Sequence, residues 1–141
     1  MAVETRRDVV PIFWALKLTF GLTPIVAGLD KFTNLLVLWP KYIAPAFAGM
    51  IPFSAQGFMY LVGVTEIVAG IGVLLSPWTR VFAWIVAIWL WCIALDLIVA
   101  GFYDIAVRDL VMSVGALCLA RVTQLVPEDV ARKRVLTPAR V

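Results

Sequence analysis

Long apolar segments separated by short polar stretches dominate the sequence. Four of them are long enough to cross a bilayer, and they cover residues 11–30, 58–75, 81–101 and 105–125. A hydrocarbon layer about 30 Å thick requires roughly 20 residues of helix, and backbone groups in lipid must pair within their own segment. Each segment therefore predicts one membrane-spanning helix, and the chain is expected to be an all-α membrane protein.

The connections between these segments predict how the helices are arranged. Residues 76–80 and 101–104 are tight turns, which make the helices that they join antiparallel neighbours. Residues 31–57 form the only long connection, and three prolines and several aromatic side chains within it are typical of short amphipathic pieces at a membrane interface. The expected fold is an antiparallel four-transmembrane-helix bundle with a long outer loop between helices 1 and 2.

Composition supports the membrane-protein class, and the pattern of the first segment argues against a secretory signal. Hydrophobic residues make up 63% of the chain and charged residues 15%, with a mean hydropathy of +0.99. Soluble domains contain only about 45–50% apolar residues. Lys17 interrupts the first apolar segment, and no small-residue cleavage pattern follows it. Residues 11–30 are therefore interpreted as a genuine span.

The distribution of basic residues predicts the orientation. The net charge is +3 and the isoelectric point about 9.1. With four spans, eight basic residues lie on the side of the two termini and three on the other side. The positive-inside rule then places both termini in the cytoplasm of a bacterial or archaeal cell, with residues 1–10 as a charged lead and 126–141 as a basic tail. The tail lacks interleaved aromatic residues, so no nucleic-acid partner is expected.

Charged residues near one end of the spans are the main functional signal. Asp96, Asp104, Arg108 and Asp109 fall within seventeen residues, and Glu66 lies about 12 Å into the second span by helical rise. A charge at the bilayer centre costs about 2.5–3.5 kcal/mol, so these groups are expected to face inward and pair. Arg108 can engage two carboxylates. The sequence thus predicts an outer-half polar cavity formed by Glu66, Asp96 and Arg108, with a purely structural Glu66–Arg108 salt bridge as the alternative.

Metal and covalent cofactor sites are not expected. The chain has no histidine, and Cys92 and Cys118 are isolated residues in different spans. This composition argues against a histidine-ligated haem and against zinc or copper. Redox-active atoms, if the protein serves electron transfer, would belong to a molecule that it binds.

Several stretches resemble the DoxX family of small four-span membrane proteins over roughly residues 16–122. They are LKLTFGLTPIVAGLDKF, GVTEIVAGIGVLL, Arg80 and VRDL. The family includes the membrane subunit of thiosulfate:quinone oxidoreductase. The resemblance implies a four-helix bundle associated with membrane-bound oxidoreductases, which favours an accessory subunit of an oxidoreductase or respiratory assembly. The lack of histidine, of a metal motif and of a redox cysteine pair argues that the chain does not catalyse a reaction alone.

Three functional hypotheses follow. The first is an accessory oxidoreductase subunit that interacts with quinone and contacts lipid and other membrane or periplasmic subunits. The second is a structural or assembly subunit without a substrate site, and the third is a small transporter. The candidate catalytic residues are Glu66, Asp96 and Arg108, and the candidate quinone contacts are Lys31, Trp89, Trp91 and Arg108.

Overall fold

A computed structural model describes residues 2–131, with side chains from residue 9 onward. This part of the chain is helical and contains no strand. The helices are α1 (Ala2–Thr33), a 3₁₀ helix (Trp39–Tyr42), α2 (Pro45–Ala48), α3 (Ala55–Leu75), α4 (Thr79–Val99), α5 (Tyr103–Val122) and α6 (Glu128–Ala131). The predicted tail beyond residue 131 lies outside the described residues.

Helices lie over all four apolar segments. The bounds of α3, α4 and α5 agree with the predicted spans to within three residues, whereas α1 begins at Ala2, within the predicted lead. Val9–Thr33, α3 and α4 are long and apolar enough to cross a membrane. α5 has 20 residues, which is long enough, but the charged residues near its start make it too polar to meet the same criterion. The chain is a multi-pass membrane protein.

Glycines bring α1 and α3 into close contact. A Cβ added at Gly63 would lie 2.6 Å from the carbonyl oxygen of Gly28, and a Cβ at Gly28 would meet the carbonyl oxygen of Gly63 at the same distance. Gly70 approaches the backbone of Gly21 in the same way. Because Gly28 faces Gly63 and Gly21 faces Gly70, the two helices run in opposite directions, with backbones close enough that only glycine fits between them.

The two remaining long helices, α4 and α5, pack against each other and against this pair. α4 packs on α5, α3 touches α4, and α1 touches α5. The apolar core lies toward the α3–α4 turn, where Phe13, Val73, Ala83 and Leu119 are completely buried. The buried acidic groups lie toward the opposite end, where α1 ends and α3 begins, which we call the Lys31 end.

Residues 34–54, the connecting segment, join α1 to α3 at the Lys31 end. The segment contains the 3₁₀ helix and α2. It begins with Asn34, which has a φ of 51° and whose N–H donates to the carbonyl oxygen of Asp30 at 2.6 Å. Asparagine tolerates this left-handed conformation, which ends α1 and turns the chain back toward the bundle.

Candidate functional site

A buried ion pair between α1 and α3 forms the centre of the site. Lys31 Nζ lies 2.6 Å from Glu66 Oε2, and the two side chains are only 4% and 7% exposed. Each residue follows a crossing glycine by three positions, Lys31 after Gly28 and Glu66 after Gly63. The close helix crossing therefore places the lysine stem against Gly63 and leaves its ammonium group at the carboxylate one turn further along α3.

Trp39 covers the other side of the ammonium group. Lys31 Nζ lies 3.7 Å from the centroid of the Trp39 ring, a cation–π contact. The indole Nε1 of Trp39 donates to Asp30 Oδ2 at 2.7 Å, which fixes the ring in this position. Lys31 is thus enclosed between a carboxylate and an aromatic face.

Asp30 ties the start of the connecting segment to α1. Its Oδ1 accepts hydrogen bonds from the backbone N–H groups of Leu35 and Leu36 at 2.9 and 3.0 Å, and from the Thr33 hydroxyl at 3.3 Å. With the Trp39 bond, this carboxylate has four donors. It therefore acts as the anchor of the segment that carries Trp39.

Two amide side chains extend the same network to α3. Gln56 Nε2 donates to the carbonyl oxygen of Lys31 at 2.9 Å, and Asn34 Nδ2 donates to Gln56 Oε1 at 3.1 Å. The backbone N–H of Trp39 donates to Asn34 Oδ1 at 3.2 Å. The end of α1, the start of α3 and the 3₁₀ helix are therefore joined by consecutive hydrogen bonds.

α4 and α5 each add one group beside Glu66. Trp89 Nε1 is fully buried next to the Glu66 carboxylate and makes no hydrogen bond of ordinary length. Asp109 is buried within electrostatic range of both Lys31 and Glu66. All four long helices therefore contribute to one charge cluster, which we define as Asp30, Lys31, Glu66 and Asp109 with Trp39 and Trp89.

The prediction that Arg108 pairs with Glu66 is wrong. The Arg108 side chain is 67% exposed, and its Nε lies 3.7 Å from Asp109 Oδ1. Consecutive residues of a helix point about 100° apart, so α5 cannot direct both Arg108 and Asp109 inward. Asp109 takes the inward position, and Lys31 is the cation that pairs with Glu66.

Asp96 also has a different role from the predicted one. Its Oδ1 accepts a hydrogen bond from the backbone N–H of Ala44 at 3.0 Å. Ala44 is completely buried and lies in the connecting segment. Asp96 therefore holds this segment against α4, and the predicted cavity of Glu66, Asp96 and Arg108 is not formed.

The two candidate tryptophans of α4 lie on different faces. Trp89 adjoins the charge cluster, whereas Trp91 is 52% exposed. Two positions along a helix correspond to about 200° of rotation, which accounts for the separation. Trp91 lines an apolar groove of about 320 Å³ together with Trp84, Ala87, Ile88, Cys92, Leu95 and Leu117.

The donor set of the described residues does not suit a metal ion. Residues 9–131, whose side chains the structure describes, contain no group of three His, Cys, Asp or Glu side chains that could hold one. Cys92 and Cys118 are unpaired thiols on the surfaces of α4 and α5.

A family model matches this chain. The DoxX model covers residues 13–103, more than half of the sequence. The chain belongs to the DoxX family. The part matched to DoxX includes Lys31, Glu66, Trp89 and Asp96, and it ends before Arg108 and Asp109. Searches of curated proteins and of solved structures found no match.

The sequence of this DoxX protein contains a signal for the central pair, in the spacing of its glycines and charges. Gly28 precedes Lys31, and Gly63 precedes Glu66, by the same spacing of three. Small residues mark the positions where membrane helices approach most closely. Two opposite charges at equal offsets from two such glycines could have indicated that Lys31 and Glu66 meet. The role of Trp39 had no comparable signal.

Proposed function

We propose that this DoxX-family protein is an accessory membrane subunit of a membrane-bound oxidoreductase or respiratory assembly, and that it does not catalyse a reaction alone. The observation that carries the proposal is the enclosed Lys31–Glu66 pair. Its ammonium group is engaged by a carboxylate and by the Trp39 ring, so both charges are committed to contacts within the chain. Such a pair acts as a clamp between helices.

A clamp of this kind favours a subunit that must keep one packing. Removing one partner of a buried ion pair leaves an uncompensated charge, which costs about 3–5 kcal/mol. Arrangements in which Lys31 and Glu66 separate are therefore strongly disfavoured. An alternating-access movement of α1 against α3 would separate them, so the small-transporter hypothesis receives no support from this geometry.

The donor chemistry of the chain also favours an accessory role. The sequence has no histidine, and its two cysteines lie on different helices and face outward. A redox reaction needs atoms that change oxidation state, and such atoms would have to come from a partner subunit or a bound molecule. By analogy with the family, we infer that this partner is an oxidoreductase.

The proposal includes four antiparallel spans. The charges that set α5 apart are Asp104, Arg108 and Asp109 in its first two turns, and Asp109 turns toward Lys31 and Glu66. Beyond Asp109, eleven residues without charge precede Arg121. We expect α5 to be the fourth span, with both termini on the cytoplasmic side and the Lys31 end facing outward.

Quinone binding at the charge cluster is a second candidate, and one observation favours it. The buried Trp89 N–H lies beside Glu66 but makes no hydrogen bond of ordinary length. A quinol oxygen could accept a hydrogen bond from it, while a quinol hydroxyl gave its proton to Glu66 or Asp109 and the electrons passed to a redox cofactor of the partner subunit. The outward positions of Arg108 and Trp91 remove both from this candidate site.

Purification from the native membrane in mild detergent tests the accessory role. A tagged chain should bring with it a subunit that carries a redox cofactor, identified by mass spectrometry and by its absorption spectrum. Purification of the chain without such a companion, from membranes in which its native partners are present, would contradict the proposal.

The same complex separates the two candidates. Glu66→Gln should be compared with Asp104→Asn, a matched control because Asp104 is an exposed carboxylate in the first turn of α5. Loss of the companion in the Glu66 variant alone supports the clamp. An intact complex with reduced quinol turnover supports the quinone site, and an intact complex with normal turnover excludes it.

A further inference from the structure

The connecting segment has an unusual surface for a loop. Residues 35–53 contain a single charged residue, Lys41, and no other side chain more polar than tyrosine or tryptophan. Six large apolar side chains in it are between 43% and 84% exposed: Leu35, Leu36, Leu38, Phe47, Met50 and Phe53. Contiguous apolar patches of this kind mark a surface that is covered by something other than water.

Backbone N–H groups of the segment form hydrogen bonds within the protein, as an apolar environment requires. Non-helical backbone at membrane depth is tolerated only where its polar groups find partners within the protein. The N–H groups of Leu35 and Leu36 donate to Asp30, that of Trp39 donates to Asn34, and that of Ala44 donates to Asp96.

Several other backbone N–H groups of the segment have local acceptors, and three positions have no N–H group. The N–H groups of Ile43, Phe47 and Met50 donate to carbonyl oxygens three residues earlier, at 2.9 to 3.3 Å. Prolines at 40, 45 and 52 have no N–H group. Three polar side chains and local turns thus supply hydrogen bonds to many N–H groups of the segment that water would otherwise have to satisfy.

The segment also reaches below the end of α4. Ala44 is bonded to Asp96, which precedes the end of α4 at Val99 by three residues, or about 4.5 Å of helical rise. The Tyr42 ring packs edge-on against Phe102 in the following turn, with ring centroids 4.9 Å apart. The chain therefore folds back alongside the helix ends instead of standing away from them.

We propose that the connecting segment is a re-entrant cap whose exposed face is immersed in the acyl chains of the leaflet at the Lys31 end. The helix ends that the segment joins also expose large apolar side chains, Leu29 and Phe32 near the end of α1 and Leu61 near the start of α3. A protein-docking surface normally has a polar rim around its apolar centre, and one lysine in nineteen residues does not provide one.

Spin-label accessibility in bilayers tests this placement. Nitroxides would be attached in turn to Leu36→Cys and Met50→Cys in a Cys92→Ala, Cys118→Ala chain, reconstituted in phosphatidylcholine–phosphatidylglycerol vesicles. Oxygen concentrates in acyl chains and a neutral nickel chelate concentrates in water. Val111→Cys on the exposed face of α5 serves as the lipid control, and Asp129→Cys on the exposed surface of α6 serves as the polar control.

The expected ratio of oxygen to nickel accessibility at positions 36 and 50 is several-fold higher than at position 129 and close to that at position 111. A ratio like that of position 129 would place the segment in water and overturn the proposal. Exclusion of both reagents would show that a second copy or a partner protein covers the face, and it would overturn the proposal equally. The labelled positions are already exposed, so the substitutions should not disturb folding.

Discussion

Replacing Lys31 by methionine should destabilise the protein strongly. Methionine keeps the length and apolar stem of lysine but leaves the Glu66 carboxylate buried without its cation at 2.6 Å. Breaking a buried pair in this way costs about 3–5 kcal/mol. The lost contact with the Trp39 ring adds roughly 0.5–2 kcal/mol. Glu66→Leu should cost a similar amount, because it leaves a buried ammonium group instead.

The double variant Lys31→Met, Glu66→Leu distinguishes an ion pair from two independent packing positions. It removes both charges and keeps the apolar volume, so its stability should return to within about 1 kcal/mol of the wild type or exceed it. Asp104→Asn, an exposed carboxylate, should change stability by no more than about 0.5 kcal/mol.

The assay is reversible unfolding in mixed micelles with increasing dodecyl sulfate, followed by tryptophan fluorescence and circular dichroism. If the single variants lose less than about 1 kcal/mol of unfolding free energy, Lys31 and Glu66 do not form a buried ion pair. A double variant whose loss equals the sum of the single losses would refute the pair as well, because additive effects indicate sites that do not interact.

Three further predictions concern the helix crossing, Arg108 and the topology. Gly63→Ala places a Cβ 2.6 Å from the Gly28 carbonyl oxygen and should lower the free energy of unfolding by about 1–3 kcal/mol in the same assay. Gly49→Ala is the control, because there is open space around Gly49, and it should leave this free energy unchanged. Equal effects of the two substitutions would contradict the close crossing of α1 and α3. Arg108→Gln should change the free energy of unfolding by less than about 1 kcal/mol, since the side chain is exposed. A larger loss would show that Arg108 takes part in the buried charge cluster. Fluorescent-protein fusions to the two ends of the chain should both fluoresce in the cytoplasm, and fluorescence at one end alone would show that α5 does not span.

The helices could be predicted because their signal is local. A run of about 20 apolar residues predicts a helix in lipid whatever its neighbours are, and α3, α4 and α5 lie within three residues of the predicted segments. The extension of α1 to Ala2 was not predictable in this way. Its first residues are polar, and the hydrophobic pattern contains no information about a helix that continues beyond the apolar run.

The site was predicted only in part because its pairs are set by helix rotation and crossing. Glu66 was correctly expected to be buried with a cation, but depth alone could not decide between Lys31 and Arg108. The choice depends on the Gly28–Gly63 crossing and on α5 turning Asp109 inward, which sends Arg108 outward. Both are properties of the packed bundle, and neither is visible in one segment.

The anchoring role of Asp30 and Asp96 was missed for a similar reason. The sequence presented two carboxylates near the ends of spans, and such groups could equally have served an ion pair or a helix cap. Their partners are backbone N–H groups of the connecting segment, and only the fold brings those groups to them. The sequence of this loop, in which Lys41 is the single charged residue, gave no sign that its backbone needed acceptors.

The contact between Lys31 and Glu66 can be measured directly in lipid. Solid-state NMR would detect the dipolar coupling between ¹⁵Nζ of lysine and ¹³Cδ of glutamate in bilayers, with Glu66→Gln as the blank for other lysine–glutamate pairs. We predict dephasing that corresponds to a separation within about 4 Å and that disappears in the Glu66 variant. Identical dephasing in the two proteins would contradict the buried pair on which the proposed function rests.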